Sequence, residues 1–255
     1  MEIKGIDDIV LWTYTKDNVL NADPDNGGFV YNGNQGKVFD PITGEELKGL
    51  FKVDMASSKG ATQANITGLA PSVTRVYGSN QVAEVEVGNE QPSIVLGAND
   101  IPHIIYDILS GLTKDKFGGY ARKGRPNPTS GGLVAHSHND NYNIDLYFAF
   151  PLGIYVPGEI NMGTNAENAV VVHDSLTLNA QARPSDLLLY EKFYSNEKDF
   201  DYAKMLKYLT GQITTDSTAG NKNPTDANGN PVTPGSGNNS EPSNSGSENN
   251  SNSAS

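Results

Sequence analysis

The residues most suited to chemistry are two histidines on either side of a serine, His136 and His138, with Asp140 close behind. In a strand, alternate side chains point to the same face, so the two imidazoles could bind one metal ion. Two histidines on the wet face of a strand are more often solvated or packed against polar neighbours. His103, near a predicted helix start, suits a surface or capping position, and His173 suits polar surface. We therefore assign no metal ligand and no cofactor.

Carboxylates are the second group that could do chemistry. Residues 23–28 read Asp-Pro-Asp-Asn-Gly-Gly, but no register places a glycine sixth and a glutamate twelfth, as a helix-loop-helix calcium site requires. A plain turn of Asx and Gly residues explains the segment. The pairs at 7–8 and 45–46 are neighbours in an acidic chain, and this does not indicate two carboxyl groups facing one substrate.

Motifs of the common enzyme classes are absent from the sequence. It contains no nucleophile elbow, no P-loop, no dinucleotide-binding glycine motif after a strand and no zinc-protease helix motif. The lack of cysteine excludes thiolate catalysis, Cys-ligated zinc and disulfides. We expect that the protein is not an enzyme.

The charge balance limits the partners of the chain. Thirty acidic and 18 basic residues give a net charge of −12, which argues against a surface that grips a phosphate backbone. The acidity serves either solubility or a surface that lets nucleic acid pass without holding it. A basic cluster from Lys114 to Arg125 includes only Phe117 and Tyr120 as aromatic residues, so a charged contact between subunits explains it better than base stacking.

No segment suggests export or membrane insertion. The N-terminus lacks a basic region followed by an apolar run, and no stretch approaches the ~20 apolar residues that span a bilayer. We expect a soluble protein that is made without a signal peptide and has no membrane contact.

The scaffold for these side chains is predicted around the segment Val170 to Ala182, whose side chains alternate with period two. At ~3.3 Å per residue this strand would reach roughly 43 Å. The segment Asn143 to Phe150 alternates in the same way. The predicted dry faces carry Leu176, Leu178, Ala180 and Ala182 in the first segment and Ile144, Leu146, Phe148 and Phe150 in the second. The predicted wet faces carry Ser175, Thr177, Asn179 and Gln181 in the first and Asn143, Asp145, Tyr147 and Ala149 in the second.

Other strands are predicted from shorter apolar runs. They are Met1–Trp12, Leu50–Met55, Ala61–Thr67, Leu133–His138, Leu187–Phe193, and a hairpin of Gln81–Gly88 with Ser93–Leu96. Pro151 and Pro157 are expected to break up the chain after Phe150. Residues 14–49 are rich in Asn, Gly, Asp and Pro and predict turns within a long loop or an irregular hairpin; a loop of this length is usually functional or mobile.

Two short helices complete the predicted elements. The first starts at Ile101 or Pro102, with Asn99 or Asp100 as its cap, and ends at Gly111. The second runs over 199–209. We expect one domain over residues 1–211 and a disordered tail, rich in Asn, Ser and Gly, over 212–255.

Several segments together resemble the major tail proteins, or tail tube proteins, of long, non-contractile-tailed phages and prophages of Gram-positive bacteria. In chain order these segments are Ile66-Thr67-Gly68-Leu69-Ala70-Pro71, Val76-Tyr77-Gly78-Ser79-Asn80, Ala98-Asn99-Asp100-Ile101-Pro102, Gly118-Gly119-Tyr120, Tyr147-Phe148-Ala149-Phe150-Pro151, Asp174-Ser175-Leu176-Thr177-Leu178 and Lys192-Phe193-Tyr194-Ser195. The resemblance covers roughly 66–211. It implies a mainly β (α+β) fold of two packed β-sheets, as a sandwich or barrel, with one or two flanking short helices.

The resemblance also implies a structural virion protein whose hexameric rings stack into the tube through which DNA reaches the host. Its implied partners are further copies of itself, the tape measure protein inside the tube, the tail terminator and distal tail proteins, and phage DNA in transit without sequence-specific binding. The implied location is the virion tail, after synthesis in the cytoplasm of the bacterial host.

The residue pattern fits such a tube. Long half-wet strands expose edges that aggregate unless they are paired, and closing a ring through strand pairing removes those edges. The wet faces would then line the channel. Our candidates for the lumen are Glu84, Glu86, Asp145, Ser175, Thr177, Asn179 and Gln181. Our candidates for a contact between rings, in the long loop, are Asp23, Asp25, Phe29 and Tyr31.

A carbohydrate- or surface-binding β-sandwich, of receptor-binding or adhesion type, is the alternative function. Such a module needs exposed aromatic residues on loops, whereas Trp12, the single tryptophan, lies in an apolar run typical of a core. The oligomeric state separates the two functions, because a binding module can work as a monomer and a tube protein cannot.

Overall fold

A computed structural model describes residues 4–79, 81–122, 124, 128–158 and 174–214. By its internal contacts the chain divides into two units, Met1–Thr214 and Thr215–Ser255. The second unit, which is most of the predicted tail, lies outside the described residues. The fold below is that of the first unit.

The described residues form twelve strands and three short helices. The strands are β1 (Lys4–Thr13), β2 (Leu50–Val53), β3 (Ala61–Thr67), β4 (Val73–Gly78), β5 (Gln81–Val87), β6 (Ser93–Ala98), β7 (Thr113–Lys114), β8 (Tyr120–Ala121), β9 (Ser130–Asn139), β10 (Ile144–Pro157), β11 (Asp174–Ala180) and β12 (Glu191–Tyr194). The helices are α1 (Met55–Ser58), α2 (His103–Leu109) and α3 (Tyr202–Leu209). The expected mainly β class with few short helices is confirmed.

One eight-stranded sheet dominates the fold, in the order β2-β1-β9-β10-β11-β6-β3, with β12 also paired to β10. All of its pairs are antiparallel. The sheet curls until β3 lies against β1, so its two packed layers belong to one continuous sheet. Two separate two-stranded sheets, β4-β5 and β7-β8, accompany it.

The inner face of the curled sheet encloses the larger hydrophobic core. Strands from both halves of the sheet contribute, and α2 adds Ile105 and Leu109, which are fully buried. Leu176 and Leu178 on β11 are also completely buried there, which confirms the predicted dry face at these two positions, whereas Ala182, beyond the end of β11, is exposed. Phe29, from the long loop, fills the same core.

A second core lies on the outer face, where α3 and the long loop cover β1, β9 and β10. Its members include Trp12, Ala149 and Leu206, together with Val38 and Leu47 from the loop. A side chain at Gly132 would come within 2.4 Å of the Trp12 ring and 2.5 Å of the Phe150 carbonyl oxygen. The absence of a side chain at this position therefore allows the tryptophan to lie against the sheet.

Three strand predictions need correction. Strand β10 continues through Pro151 to Pro157, because a register shift between Phe150 and Gly153 accommodates the residue that lacks an N–H. Its second face is not wet, since Tyr147 and Ala149 are buried in the outer core. The predicted hairpin of Gln81–Gly88 with Ser93–Leu96 is also wrong, because β5 pairs with β4 while β6 pairs with β11 and β3.

Element ends differ in smaller ways. The strand predicted over Val170–Ala182 ends at Ala180, and its first four residues lie outside the described residues. Helix α3 starts later than predicted because Asp201 caps it, accepting a hydrogen bond from the Lys204 N–H at 3.0 Å. Helix α2 has no side-chain cap, so the predicted caps Asn99 and Asp100 are wrong.

Candidate assembly surfaces

The polar face of β11 is part of a wider surface. Residues that pair in a sheet share a face, and Thr177 pairs with Val95 and Val156 while Asn179 pairs with Ser93. The Ser93 hydroxyl donates to the Asn179 side-chain oxygen at 3.1 Å. Strand β3 extends the surface, because Asn65 pairs with Val95. The members of this uncharged face are Gln63, Asn65, Thr67, Ser93, Val95, Ile154, Val156, Ser175, Thr177 and Asn179.

Three of the predicted lumen residues lie on this uncharged face, namely Ser175, Thr177 and Asn179. Gln181 follows the end of β11, is exposed, and donates its N–H to the Leu152 carbonyl oxygen at 2.9 Å. The uncharged face has no charged residue at its paired positions. It can therefore neither grip nor strongly repel a polyanion through its own side chains.

Asp145 lies far from these residues, near the opposite end of β10. Strand β11 pairs with β10 from Gly153 onward, and eight residues separate this position from Asp145, or about 26 Å at ~3.3 Å per residue. The Asp145 carboxylate accepts from the His138 Nδ1 at 2.6 Å and lies 3.5 Å from the His136 Nε2. Its surroundings are therefore ionic.

His136 is surrounded by carboxylates and aromatic rings. Its Nδ1 lies 3.3 Å from an Asp8 oxygen, and its ring stacks on Tyr147 with the centroids 4.5 Å apart. Burial lowers the pKa of His136, but the Asp8 hydrogen bond and the charges of Asp8, Asp145 and Asp7 outweigh burial and raise the pKa above its usual value. Among the described residues, no cluster of three or more histidines and carboxylates could hold a metal ion.

Glu84 and Glu86 lie on the β4-β5 hairpin, which is separate from both the uncharged face and the surroundings of Asp145. This hairpin pairs only with itself in the described chain, and both of its faces are exposed. One face carries the two glutamates with Thr74 and Val76. The other, which we call the apolar hairpin face, carries Val73, Arg75, Tyr77, Val82, Val85 and Val87.

Sequence reasoning missed the apolar hairpin face. The alternation of Val85 and Val87 with the two glutamates was visible in the sequence, but it predicted a hairpin of this segment with Ser93–Leu96. In the structure Val87 is 65% exposed and Tyr77 is 66% exposed. Polar residues typical of turns flank residues 73–87 and indicate that this segment leaves the body of the fold. They do not indicate whether the segment packs back against the body.

The long loop of residues 14–49 is held against the body by its aromatic residues. Phe29 is buried and meets Phe51 edge-on at 5.9 Å, and the Tyr31 hydroxyl donates to the Leu50 carbonyl oxygen at 2.6 Å. Asp23 and Asp25 remain exposed. Asp23 caps a 3-10 turn at Pro24–Asn26 by accepting the Asp25 N–H at 3.0 Å, which agrees with the plain-turn interpretation.

Two exposed aromatic residues lie in turns that connect paired strands. Phe117 is 85% exposed between β7 and β8, and Tyr142 is 72% exposed between β9 and β10. The basic cluster around Phe117 was noticed in the sequence, whereas Tyr142 was not. No helix among the described residues is long and apolar enough to cross a membrane.

Comparison with known proteins shows the family of the chain. A model of the phage tail tube protein family matches residues 25–218, about three quarters of the 255 residues. No curated protein matches the chain. Members of the family are structural components of the virion tail that self-assemble into a tube, and the family is not an enzyme family. The resemblance found in the sequence is thereby confirmed, and the chain belongs to the phage tail tube protein family.

Proposed function

We propose that this chain closes into rings, hexameric as the resemblance implies, and that the rings stack into a conduit for phage DNA. The observation that carries ring closure is the apolar hairpin face. Monomeric proteins rarely expose a contiguous apolar patch of this kind, and an isolated hairpin is marginally stable in water. A neighbouring copy in the ring covers this face and stabilises the hairpin.

The wall of the conduit is the uncharged face, with Gln181 at its margin. DNA carries one charge per ~1.7 Å of axis, so a wall of lysines and arginines would hold it. Serine, threonine and asparagine side chains with a few valines offer no such attraction. The hairpin of one copy continues the sheet of the next copy, and there Glu84 and Glu86 become part of the conduit wall. Asp145 contributes negative charge to the wall at the other end of β10.

The long loop supplies contacts between rings. Phe29 and Tyr31 anchor it to the body, which leaves Asp23 and Asp25 exposed on an ordered turn. The further partners are the tape measure protein within the tube and the tail terminator and distal tail proteins at its ends. The source is a long, non-contractile-tailed phage or prophage of a Gram-positive host, in whose cytoplasm the chain is made.

The test is negative-stain electron microscopy over a concentration series with two hairpin variants. Val87→Lys adds a second positive charge, besides that of Arg75, to the apolar hairpin face. Thr74→Lys adds the same charge on the opposite face, beside its pairing partner Glu86. We expect rings or tubes from the wild type and from Thr74→Lys, and neither from Val87→Lys. Equal assembly by the two variants would contradict closure through the apolar hairpin face.

The oligomeric state also decides between this function and the alternative. A wild-type protein that stays monomeric at every concentration, measured by sedimentation, would favour the carbohydrate- or surface-binding module.

A further inference from the structure

The turn between β7 and β8 carries positive charge and an exposed aromatic ring. Lys114, Lys116 and Phe117 are all exposed, and we call these three residues the basic tip. The turn is ordered by Asp115, whose Oδ1 accepts the Phe117 N–H at 2.9 Å and the Gly119 N–H at 2.8 Å. The phenylalanine is therefore held in place while most of its surface contacts solvent.

The turn between β9 and β10 is negatively charged, and it also carries an exposed aromatic ring. Asp140 and Tyr142 are exposed, and Asp7 on the adjoining part of β1 is half exposed. We call these three residues the acidic tip. The Asn139 side-chain oxygen orders the turn by accepting the Asn141 N–H at 3.0 Å and the Tyr142 N–H at 3.2 Å.

The two tips lie at opposite ends of the sheet. The acidic tip sits where β9 ends and β1 begins, since Lys4 pairs with His138. The basic tip is rooted at the other end, where Thr113 lines a cavity with Thr13 and Ser130. Strand β9 separates these ends by nine residue steps, about 30 Å at ~3.3 Å per residue.

The lysines of the basic tip have no ion-pair partner within the described subunit, and the Lys116 ammonium lies over the Phe117 ring, 5.2 Å from its centroid. The chain as a whole carries a net charge of −12, so copies repel one another unless they meet where opposite charges face each other. The basic tip is a local exception to the acidic surface, and the acidic tip of another copy complements it.

We propose that the basic tip of one subunit docks on the acidic tip of the next subunit along the tube, with Phe117 against Tyr142. This inference rests on the proposed function, because it adds a second contact between stacked rings to the contact that the long loop supplies. Two different patches at opposite ends make a head-to-tail contact, which repeats without limit as a tube requires. An aromatic pair between two charged rims excludes water from the centre of the contact.

Charge reversal tests the contact. Lys114→Glu with Lys116→Glu makes both ends of the subunit acidic, and Asp7→Lys with Asp140→Lys makes both ends basic. We expect each double variant to form rings but no stacked tubes at concentrations where the wild type forms tubes. The critical concentration for tubes should rise about tenfold or more.

The variant with all four reversals restores complementarity with the two signs exchanged. We expect it to form tubes again. Lys48→Glu with Lys204→Glu, outside both tips, is the control for net charge and should stack as the wild type does. Circular dichroism and sedimentation of each variant establish that the subunit is folded.

The aromatic pair and the salt dependence give a second measurement. Phe117→Ala and Tyr142→Ala should each raise the critical concentration for tubes, whereas Met55→Ala, at another exposed apolar site, should not. Raising the ionic strength from 0.1 M to 1 M shortens the screening length from about 10 Å to about 3 Å and should weaken stacking of the wild type.

The outcomes separate this inference from the proposed function. Tubes of normal length from both double variants, or no tubes from the fourfold variant, overturn the tip contact and leave ring closure standing. A wild type that forms neither rings nor tubes overturns the proposed function, and the stacking contact falls with it.

Discussion

Strand β10 in the three-strand region β1-β9-β10 and strand β5 in the β4-β5 hairpin show the same alternation of side chains, but the two regions differ in how their faces are covered. In the first region both faces are covered, the inner face by the other half of the curled sheet and the outer face by α3 and the long loop. In the hairpin neither face is covered by the described chain. The difference teaches that alternation predicts a strand but does not say whether the chain itself supplies the cover.

This contrast assigns the two regions different roles. Burial of β1-β9-β10 stabilises the single subunit, since each fully buried large side chain contributes about 1.5–3 kcal/mol. The exposed valines of the hairpin contribute little to the stability of the single subunit. Stability of the subunit and assembly of the tube should therefore respond to different substitutions.

The largest effect on the subunit is expected from Phe150→Ala. Phe150 is fully buried in the inner core and stacks on Phe148 at a centroid distance of 5.3 Å. Its truncation leaves a cavity and should lower the free energy of unfolding by about 3–5 kcal/mol. Urea unfolding followed by the fluorescence of Trp12, the only tryptophan and a buried one, measures the loss. A change below about 1 kcal/mol would show that the region is less tightly packed than described.

Arg183→Met tests how firmly α3 covers the outer face. The Arg183 guanidinium donates to the Tyr208 and Leu209 carbonyl oxygens at 2.8 and 3.0 Å, and it pairs with Asp186. Methionine keeps most of the apolar length but none of the donors, so we expect a loss of about 1–3 kcal/mol in the free energy of unfolding. Lys204→Met, which removes an exposed pair with Asp201, is the control and should change it by less than about 1 kcal/mol.

His136 should make the covered region pH-dependent. The pKa of His136 is raised in the folded subunit, so its imidazolium form contributes stability below the unfolded value of about 6.5. That contribution is lost as the pH rises through the folded pKa. Free energies of unfolding measured from below pH 6.5 upward should fall more steeply for the wild type than for His136→Asn. If the free energy of unfolding depends on pH in the same way for both proteins, the contacts of His136 with Asp8 and Asp145 do not make the stability pH-dependent.

The smallest effect on the subunit is expected from Val87→Lys in the hairpin. Because Val87 is exposed, the free energy of unfolding should change by no more than about 0.5 kcal/mol, measured below the concentration at which rings form. A drop comparable to that of Phe150→Ala would mean that the hairpin packs on its own subunit, and the contrast between the two regions would disappear.

Sequence reasoning predicted the secondary-structure elements better than the contacts between those elements. The burial of Leu176 and Leu178 on β11 was predicted from local periodicity and is confirmed. Tyr147 was predicted to face solvent because it alternates with the apolar residues Leu146 and Phe148. The structure buries its ring between His136 and Phe200, at centroid distances of 4.5 and 5.3 Å. His136 is its pairing partner on the adjacent strand β9, whereas Phe200 comes from a distant part of the chain.

The candidate lumen residues show the same limit. Alternation selected polar positions on three strands, but alternation carries no information about which strands are neighbours. The structure separates the uncharged face of β11 from Asp145 along β10 and places Glu84 and Glu86 on a hairpin apart from the large sheet. Whether these surfaces meet in the tube stays a prediction.

The sequence by itself determined the mainly β class, the two-residue period of its strands, the acidic balance, and the resemblance to phage tail proteins. These properties are local or compositional, so they can be read without knowing the fold. Only the tertiary structure decided that the curled sheet covers one face of β1-β9-β10 while α3 and the long loop cover the other, that the described chain leaves the hairpin uncovered, and that the basic and acidic tips lie at opposite ends. Those facts depend on strand order and register, which arise from contacts between residues far apart in the chain.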